Sequence, residues 1–391
     1  MIAPATNMLR SVPGRLPVAV LFAVHGAANG SFATRIPWIR DRLDLDAGLL
    51  GLALLAPAAG ALLAMPPAGA LVHRHDGRRV TGVLIGALAI VLALPALAPS
   101  YALLWLALLA FGAVAGSADV AMNTQAVAVE ERAGRSIMSG LHGAWSLGGM
   151  AGSLLGVLAA HADLDARVHL GATAALLLVV AQVAARRLPE VERGADGEPH
   201  ADPPRLAWPT RPVLVIGVVG FGAVFAEGAC ADWCAVYLRD VVGAGAATAA
   251  AAYTAFASSM ALARLVGDRV IARAGAVATV RAGGALAALG ALLVVIARTP
   301  LLVLPGFALI GLGIATVVPL AFAAAGRAVP HAGQGIAAVA TVAYGAGLAA
   351  PGIIGAIASA ASLPAAFAIV ATLCVGFGLG AGALRPAAHG R

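Results

Sequence analysis

The chain contains no lysine, and only 11% of its 391 residues carry a charge. Soluble proteins carry about 25%, so there is too little charge here to coat a soluble domain of this length. Cysteine is scarce as well, with three in all. Cys230 and Cys234 are spaced by one helical turn, and Cys374 stands apart. A metal pair would need further His or thiolate ligands beside them, and the sequence offers none. The three are expected to be small packing residues, and no metal is expected. Also missing are a His-Glu-x-x-His helix, a nucleophile elbow and a phosphate-binding loop. Neither enzymatic activity nor a cofactor is expected. What fills the chain instead is apolar: 61% of its residues.

These residues gather into twelve stretches, six on either side of one polar gap at 186–211. The stretches run near 17–38, 47–72, 80–98, 101–126, 137–160 and 168–185. The second six run near 212–237, 245–267, 280–297, 301–325, 336–359 and 364–384. About 20 apolar residues span a bilayer as a helix, and such long uninterrupted runs do not suit alternating barrel strands. The expected class is an all-α integral membrane protein of twelve transmembrane helices, arranged as two pseudo-symmetric six-helix bundles. Residues 1–185 form the first bundle, 186–211 a mobile cytoplasmic linker, and 212–391 the second. The first stretch is long and a second follows almost at once, so it is expected to be an uncleaved helix rather than a signal peptide.

All basic residues are arginine, 25 against 18 acidic ones, for a net charge of +7. In a soluble protein that balance would point to nucleic acid. Here eighteen arginines fall on the side that holds both termini, and five fall in the loops of the other side. That is the positive-inside bias. It predicts both termini in the cytoplasm, in the inner membrane of a cell, with the lipid bilayer and not nucleic acid as the partner.

An internal repeat appears at an offset of 199 residues. Arg40-Asp41 falls on Arg239-Asp240, and Trp38 on Tyr237. Gly112 falls on Gly311, Gly134 on Gly333, Trp145 on Tyr344, Gly148 on Gly347 and Gly156 on Gly355. Two bundles of one plan explain these stations. Because six is even, both copies keep the same orientation in the membrane.

Six plus six spans with a long middle loop resemble the major facilitator superfamily of secondary transporters, over the whole chain. Its basic loop after the second helix is approximated by Gly69-Ala-Leu-Val-His73-Arg74-His75-Asp76-Gly77-Arg78-Arg79, with His73 where Asp is usual. The second bundle has Arg264-Leu-Val-Gly267-Asp268-Arg269. The resemblance implies gating roles for Arg74, Arg78, Arg264 and Asp268, the last two as an ion pair near the cytoplasmic end of their span.

Ionisable groups inside the bilayer are costly, so each needs a partner, a wet cavity or both. Asp119 and Asn123 share a helix face by their spacing of four. A desolvated Asp can carry a proton, and Asn can bond a polyol or amide. The alternative is that Asp119 is locked to Arg35. This segment, with Gln125 following, resembles the fourth helix of the fucose:proton symporter branch, where Asp119 matches the proton-carrying Glu. Ala28-Asn29, eight residues before Pro37, also fits that branch. Its second acidic residue, four positions before the proline, is Ala33 here. The seventh and fifth spans look closer to bacterial inner-membrane members of undefined substrate.

Glu227 is a second expected coupling residue. Asp232 is either a substrate contact or an outer latch to Arg239. His142 can shuttle protons and Trp145 can form an aromatic wall, or both can simply pack. Arg35 can hold an anionic group or snorkel outward. His25 carries less weight, because a lone intramembrane His often only bonds a neighbouring helix. Gly148, Gly152 and Gly156 form a ridge, and Pro351 stands in its second-half counterpart; both are expected to be sliding or bending surfaces.

The expected function is proton-coupled secondary transport of a small polar, sugar-like solute by alternating access, in a monomer. Asp119 and Glu227 would couple protons, while Asn29, Asn123, Gln125, His142, Trp145 and Asp232 would bind substrate. The rivals are a proton-antiport exporter of amphipathic compounds and a non-transporting membrane sensor.

Overall fold

The computed structural model describes residues 14–133, 137–189, 211–328 and 332–385, and among these the regular structure is entirely helical. The first half holds α1 (Arg15–Ala33), α2 (Ile36–Leu43), α3 (Ala47–Arg74), α4 (Gly77–Val91), α5 (Leu94–Leu97), α6 (Tyr101–Ala133), α7 (Met138–His161) and α8 (Ala166–Ala185). The second holds α9 (Arg211–Asp240), α10 (Ala246–Ala274), α11 (Ala276–Ile296), α12 (Pro300–Ile314), α13 (Val317–Ala328), α14 (Ala332–Ala360) and α15 (Leu363–Gly380). Twelve stretches are long and apolar enough to cross a membrane, and they coincide with the twelve expected from hydropathy. Most of the expected linker, 190–210, lies outside the described residues. The first and last described helical ends share one membrane face, called here the terminal face. The opposite face is called distal.

Prolines explain why three spans arrive in pieces. α1 stops at Ala33, four residues before Pro37, and α4 stops at Val91, four before Pro95. The gap between α12 and α13 includes Ala315, four before Pro319. A proline has no N–H for the carbonyl four residues back, and its ring crowds that carbonyl. The first break matters most here, because it starts α2 and carries Arg40 and Asp41 along the distal face. Helix starts are fixed by side-chain caps. Asp46 Oδ1 accepts from the Leu49 N–H at 2.7 Å, Asp76 Oδ1 from Arg78 at 3.0 Å, and Asp165 Oδ1 from Arg167 at 2.8 Å. Each satisfies a backbone donor that the helix itself leaves free.

The repeat is visible in packing. A Cβ at Gly112 would overlap the Pro57 carbonyl oxygen, and one at Gly311 would stand 2.5 Å from the Phe256 carbonyl oxygen. Both members of these two contacts are related by the same 199-residue offset. α6 therefore meets α3 as α12 meets α10. Other stations have diverged. Tyr237 is fully buried, donates to the Val294 carbonyl at 2.6 Å and packs edge-on against Phe307 and Phe367. Its partner station, Trp38, is half-buried and flanked by the guanidinium groups of Arg42 and Arg167.

The glycine ridge of α7 packs inside the first bundle, against α1. Cβ atoms at Gly148 and Gly152 would overlap the carbonyl oxygens of Ala23 and Ala27, and one at Gly156 would overlap Thr34. Glycines of α1 answer from the other side, with Gly26 against the Trp145 carbonyl and Gly30 against Gly149. The ridge expected to be a sliding or bending surface thus meets α1 of its own bundle, in close backbone-to-backbone packing. Gly152→Val is expected to destabilise the protein by about 3 kcal/mol or more through overpacking. A thermal-unfolding series in detergent measures this.

Pro351 behaves differently from its first-half counterpart. Its carbonyl oxygen would lie 2.8 Å from a Cβ at Gly51, and the Gly355 Cα lies equally close. α14 therefore touches α3 of the other bundle, at the distal ends of both helices. α7 meets α10 in the second contact between bundles. Beside these lies a reciprocal ion-pair cluster. Arg40 pairs with Asp240, and Arg239 Nε stands 3.5 Å from Asp41 Oδ2. The two copies of one Arg-Asp dipeptide thus hold each other across the repeat. Arg239 is directed at Asp41, which replaces the expected latch between Arg239 and Asp232.

Candidate functional site

Midway along α1, α6 and α7 a polar network is built around His25. Its Nδ1 faces two donors, Trp145 Nε1–H at 2.9 Å and Asn29 Nδ2–H at 3.3 Å. Its Nε2 lies 3.1 Å from the carbonyl oxygen of Ala115. Two donors on Nδ1 and an acceptor at Nε2 are satisfied together by one tautomer, the neutral ring with its proton on Nε2. Asn29 also donates to the His25 carbonyl at 2.9 Å, which fixes its amide. The glycine seam makes this possible. Trp145 reaches His25 because the backbone around Gly26 lies directly on that of Trp145.

Asp119 is half-buried one helical turn from the carbonyl that His25 bonds. Its Oδ1 accepts from Asn123 Nδ2 at 3.1 Å, as the spacing of four predicts. The charge of Asp119 acts on both His25 and His142. His142 is exposed on α7, with Phe22 edge-on at 5.4 Å. It also lies in the field of Arg264, on the other bundle. Arg35 is not part of this cluster. It is bonded to His169 at 3.1 Å near the distal end of α1, which overturns the alternative of an Asp119–Arg35 lock. Nor does Arg35 snorkel, being only 3% exposed.

Across from this network, Glu227 of α9 faces Arg264 of α10, with Oε1 and Nη2 3.6 Å apart. The pair is long, and each side chain is about a third exposed (31% and 34%), so it is readily opened. Arg264 lies ten residues before the end of α10, about 15 Å along the axis. It sits at the depth of the polar network rather than at the surface, and its partner is Glu227. The side chain of Asp268, its expected partner, lies outside the described residues. Asp232 is half-buried one and a half turns beyond Glu227 on α9. Tyr253 of α10 is buried within the fields of Glu227, Asp232 and Arg264.

Gln125 is the clearest correction among the expected substrate contacts. It is fully buried, and a Cβ at Gly77 would come within 2.8 Å of its Nε2. Its amide therefore packs against the start of α4 at the terminal face, away from the polar network. Six residues separate it from Asp119, more than one and a half turns, which explains both the different face and the different depth. At the same face Arg74 is exposed at the end of α3, and Arg79 Nε lies 3.4 Å from Asp76 Oδ2. The Arg78 N–H joins the Asp76 cap. Cys230 and Cys234 are fully buried in the core.

Two members of the site were undervalued by sequence reasoning, His25 and Tyr253. For His25 a signal existed: Asn29 stands four residues on, and Gly26 and Gly30 mark the face where another backbone approaches. Nothing in the sequence links Tyr253 to α9.

Comparison with known proteins places these features in a family context. Residues 18–351 match the family model described as Major Facilitator Superfamily. The chain is 36% identical over 353 residues to an MFS-type transporter of Yersinia pestis, covering 90% of this chain and 91% of that protein. It is 36% identical over 363 residues to a transporter of Sinorhizobium fredii, covering 90% and 93%. Among solved structures, the nucleoside transporter NupG superposes with a TM-score of 0.75 over 95% of this chain and 98% of that one. The identity is 14%, so that likeness concerns the fold.

Proposed function

The chain belongs to the major facilitator superfamily and is a multi-pass membrane transporter; we propose that it moves a small polar, sugar-like solute together with protons by alternating access. The observation that carries this reading is the polar network at mid-depth. An amide (Asn29) and an indole anchored through its N–H (Trp145) meet on His25, and a carboxylate (Asp119) bonded to a second amide (Asn123) stands one helical turn from the Ala115 carbonyl that the same His25 engages. Hydroxyl-rich solutes present donors and acceptors that suit amides and a carboxylate, and their apolar faces suit an indole. Glu227 and Arg264 supply a weak ion pair on the opposing wall.

In this reading protonation of Asp119 removes a charge that must otherwise be kept hydrated as the bundles rock. His142 stands on α7, the helix that meets α10, which carries Arg264. Glu227 is the second coupling group, because its hold on Arg264 is loose enough to be exchanged for a proton or a solute. Asp232, further along α9, serves substrate binding from the distal side. The distal ion pairs and the Gly51–Gly355 contact act as the closed gate of a state open toward the terminal face. The arginine distribution supports a cytoplasmic terminal face in the inner membrane, and a single chain contains the whole site.

The test uses purified protein in liposomes with an internal pH dye. Neutral sugars, nucleosides and amphipathic cations are added in turn across a range of pH. Solute entry that moves protons in the same direction, for a sugar or a nucleoside, is the expected result. Coupled movement of amphipathic compounds alone would favour the exporter. No flux of any solute at any pH would leave the sensor reading.

A further inference from the structure

The polar network at mid-depth is more one-sided than its residue types suggest. A side-chain amide has two N–H donors and one carbonyl acceptor. Asn29 Nδ2 donates to the His25 carbonyl at 2.9 Å and to His25 Nδ1 at 3.3 Å. Asn123 Nδ2 donates to the Asp119 carbonyl at 2.9 Å and to Asp119 Oδ1 at 3.1 Å. The N–H groups of both amides are thus engaged within their own helices, and Oδ1 of each has no hydrogen-bond partner among the described residues. The Trp145 N–H is engaged by His25, and His25 is engaged at both ring nitrogens. Hydroxyls on the same helices follow suit, since Ser117, Thr124 and Ser146 each donate to a backbone carbonyl. What the half-buried side chains leave open is a set of acceptors: Asn29 Oδ1, Asn123 Oδ1 and the Asp119 carboxylate.

The second bundle adds to that set. Asp232 is half-buried on α9 and has neither a hydrogen bond nor an ion pair among the described residues. Glu227 faces the guanidinium of Arg264. Depth follows from the repeat, because α1 and α9 are copies of one span in one orientation. At the offset of 199, Asn29 corresponds to Gly228, which stands between Glu227 and Asp232. Asn29 and Asp232 therefore differ in depth by about 6 Å, roughly one helical turn. The donors left on these walls are fewer: the His142 ring N–H, the Tyr253 hydroxyl, and Arg264, which Glu227 engages. With the three carboxylates Asp119, Glu227 and Asp232 against the one guanidinium of Arg264, the site suits a solute that brings donors and positive charge. A site built this way rejects solutes that bring only acceptors, because its own acceptors are then left unpaired.

We propose that the solute is a polyol bearing a protonated amino group, an amino sugar in its simplest form, bound through its own N–H and O–H donors. Its hydroxyls donate to Asn29 Oδ1 and Asn123 Oδ1, and its ammonium donates to the Asp232 carboxylate. An ammonium has donors, no acceptor and one positive charge, which is what an unpaired carboxylate at this depth lacks. Charge then closes across the site. Asp119 holds the coupled proton, Asp232 the ammonium and Glu227 the guanidinium of Arg264, so no carboxylate is left uncompensated as the bundles rock. The inference rests on the transport reading above and narrows its solute from sugar-like to amino sugar.

The test uses the purified full chain in liposomes with an internal pH dye, at a pH where the amines are protonated. Glucosamine, galactosamine and mannosamine are compared with their neutral parent sugars, with their N-acetyl forms and with glucuronate. Proton-coupled entry is expected for at least one amino sugar, with a KM at least tenfold below those of its neutral parent and its N-acetyl form. Glucuronate is expected to stay out. Asp232→Asn is expected to reduce the preference for the amino sugar over its parent at least tenfold. Coupled entry of a neutral sugar with a KM equal to that of its amino form, or entry of neutral sugars or glucuronate alone, overturns the amino-sugar inference while the transport reading stands. A full preference retained in Asp232→Asn overturns the placing of the ammonium. Where that variant does not fold, the comparison of sugars on the unaltered protein still decides. Absence of entry for every sugar overturns the inference together with the reading it rests on.

Discussion

Asp119→Asn is expected to uncouple transport from protons, lowering uphill accumulation about 100-fold, equivalent to about 2.7 kcal/mol. The substitution is nearly isosteric and retains an oxygen to accept the bond from Asn123, so the helix and its packing survive. What it removes is the capacity to gain and lose a proton at mid-depth. A permanently neutral group there mimics the protonated state. Solute exchange across a membrane, which needs no net proton movement, is therefore expected to persist while concentration against a gradient fails. The paired measurement of counterflow and pH-driven uptake in liposomes separates the two. PH-driven accumulation equal to that of the unaltered protein would place the proton elsewhere, and Glu227→Gln is then the next variant to examine.

The second large effect is expected at the distal face. Arg40 pairs with Asp240 and Arg239 approaches Asp41, so four charges from two copies of one dipeptide form a closed set. Single exposed pairs contribute about 0–1 kcal/mol, and a network holds somewhat more. Arg40→Asp replaces attraction by repulsion at its centre, facing Asp240 directly and Asp41 in sequence. A shift of about tenfold toward a distally open state is expected, corresponding to about 1.4 kcal/mol. Ser359, whose side chain lies beside Gly48 in the distal contact, offers a reporter position. A Ser359→Cys background should react faster with a membrane-impermeant maleimide once Arg40→Asp is introduced. The double change Arg40→Asp with Asp240→Arg restores the pair and should restore slow labelling. Labelling that is insensitive to the reversal, or not rescued by the swap, would remove these charges from the gate.

Hydropathy and the repeat were legible in the chain itself. A bilayer forces each backbone polar group to be satisfied within its own helix, so a span must be a long apolar run, and such runs can be counted. The proline breaks were not legible in the same way, because Pro37, Pro95 and Pro319 follow interruptions of their spans while Pro57 and Pro351 lie inside unbroken helices. The pairing of Asp119 with Asn123 was legible, being fixed by helical spacing. The 199-residue offset extends this to architecture, and the Gly112–Pro57 and Gly311–Phe256 contacts keep it in three dimensions.

Partners between helices were not legible, and the corrections all have this form. Periodicity reports which residues share a face but not what that face meets. Arg264 and Asp268 share a face of α10, yet the carboxylate that meets Arg264 belongs to Glu227 of α9. Asp119 and Gln125 stand six residues apart on α6, yet one joins the polar network and the other lies under Gly77. Arg35 neither locks Asp119 nor snorkels outward, because it is buried and bonded to His169.

By itself, then, the sequence determined twelve spans, their division into two copies, and which polar residues must lie within the membrane. Tertiary structure alone decided that His25 organises the polar network at mid-depth, that the Arg-Asp dipeptides meet each other, and that the α7 ridge packs within the first bundle against α1. The reason is physical. Span formation is decided by transfer of each segment into lipid, a property of consecutive residues. The pairing of buried polar groups is decided by helix approach, set here by glycines 120 or more residues apart, such as Gly26 and Gly149.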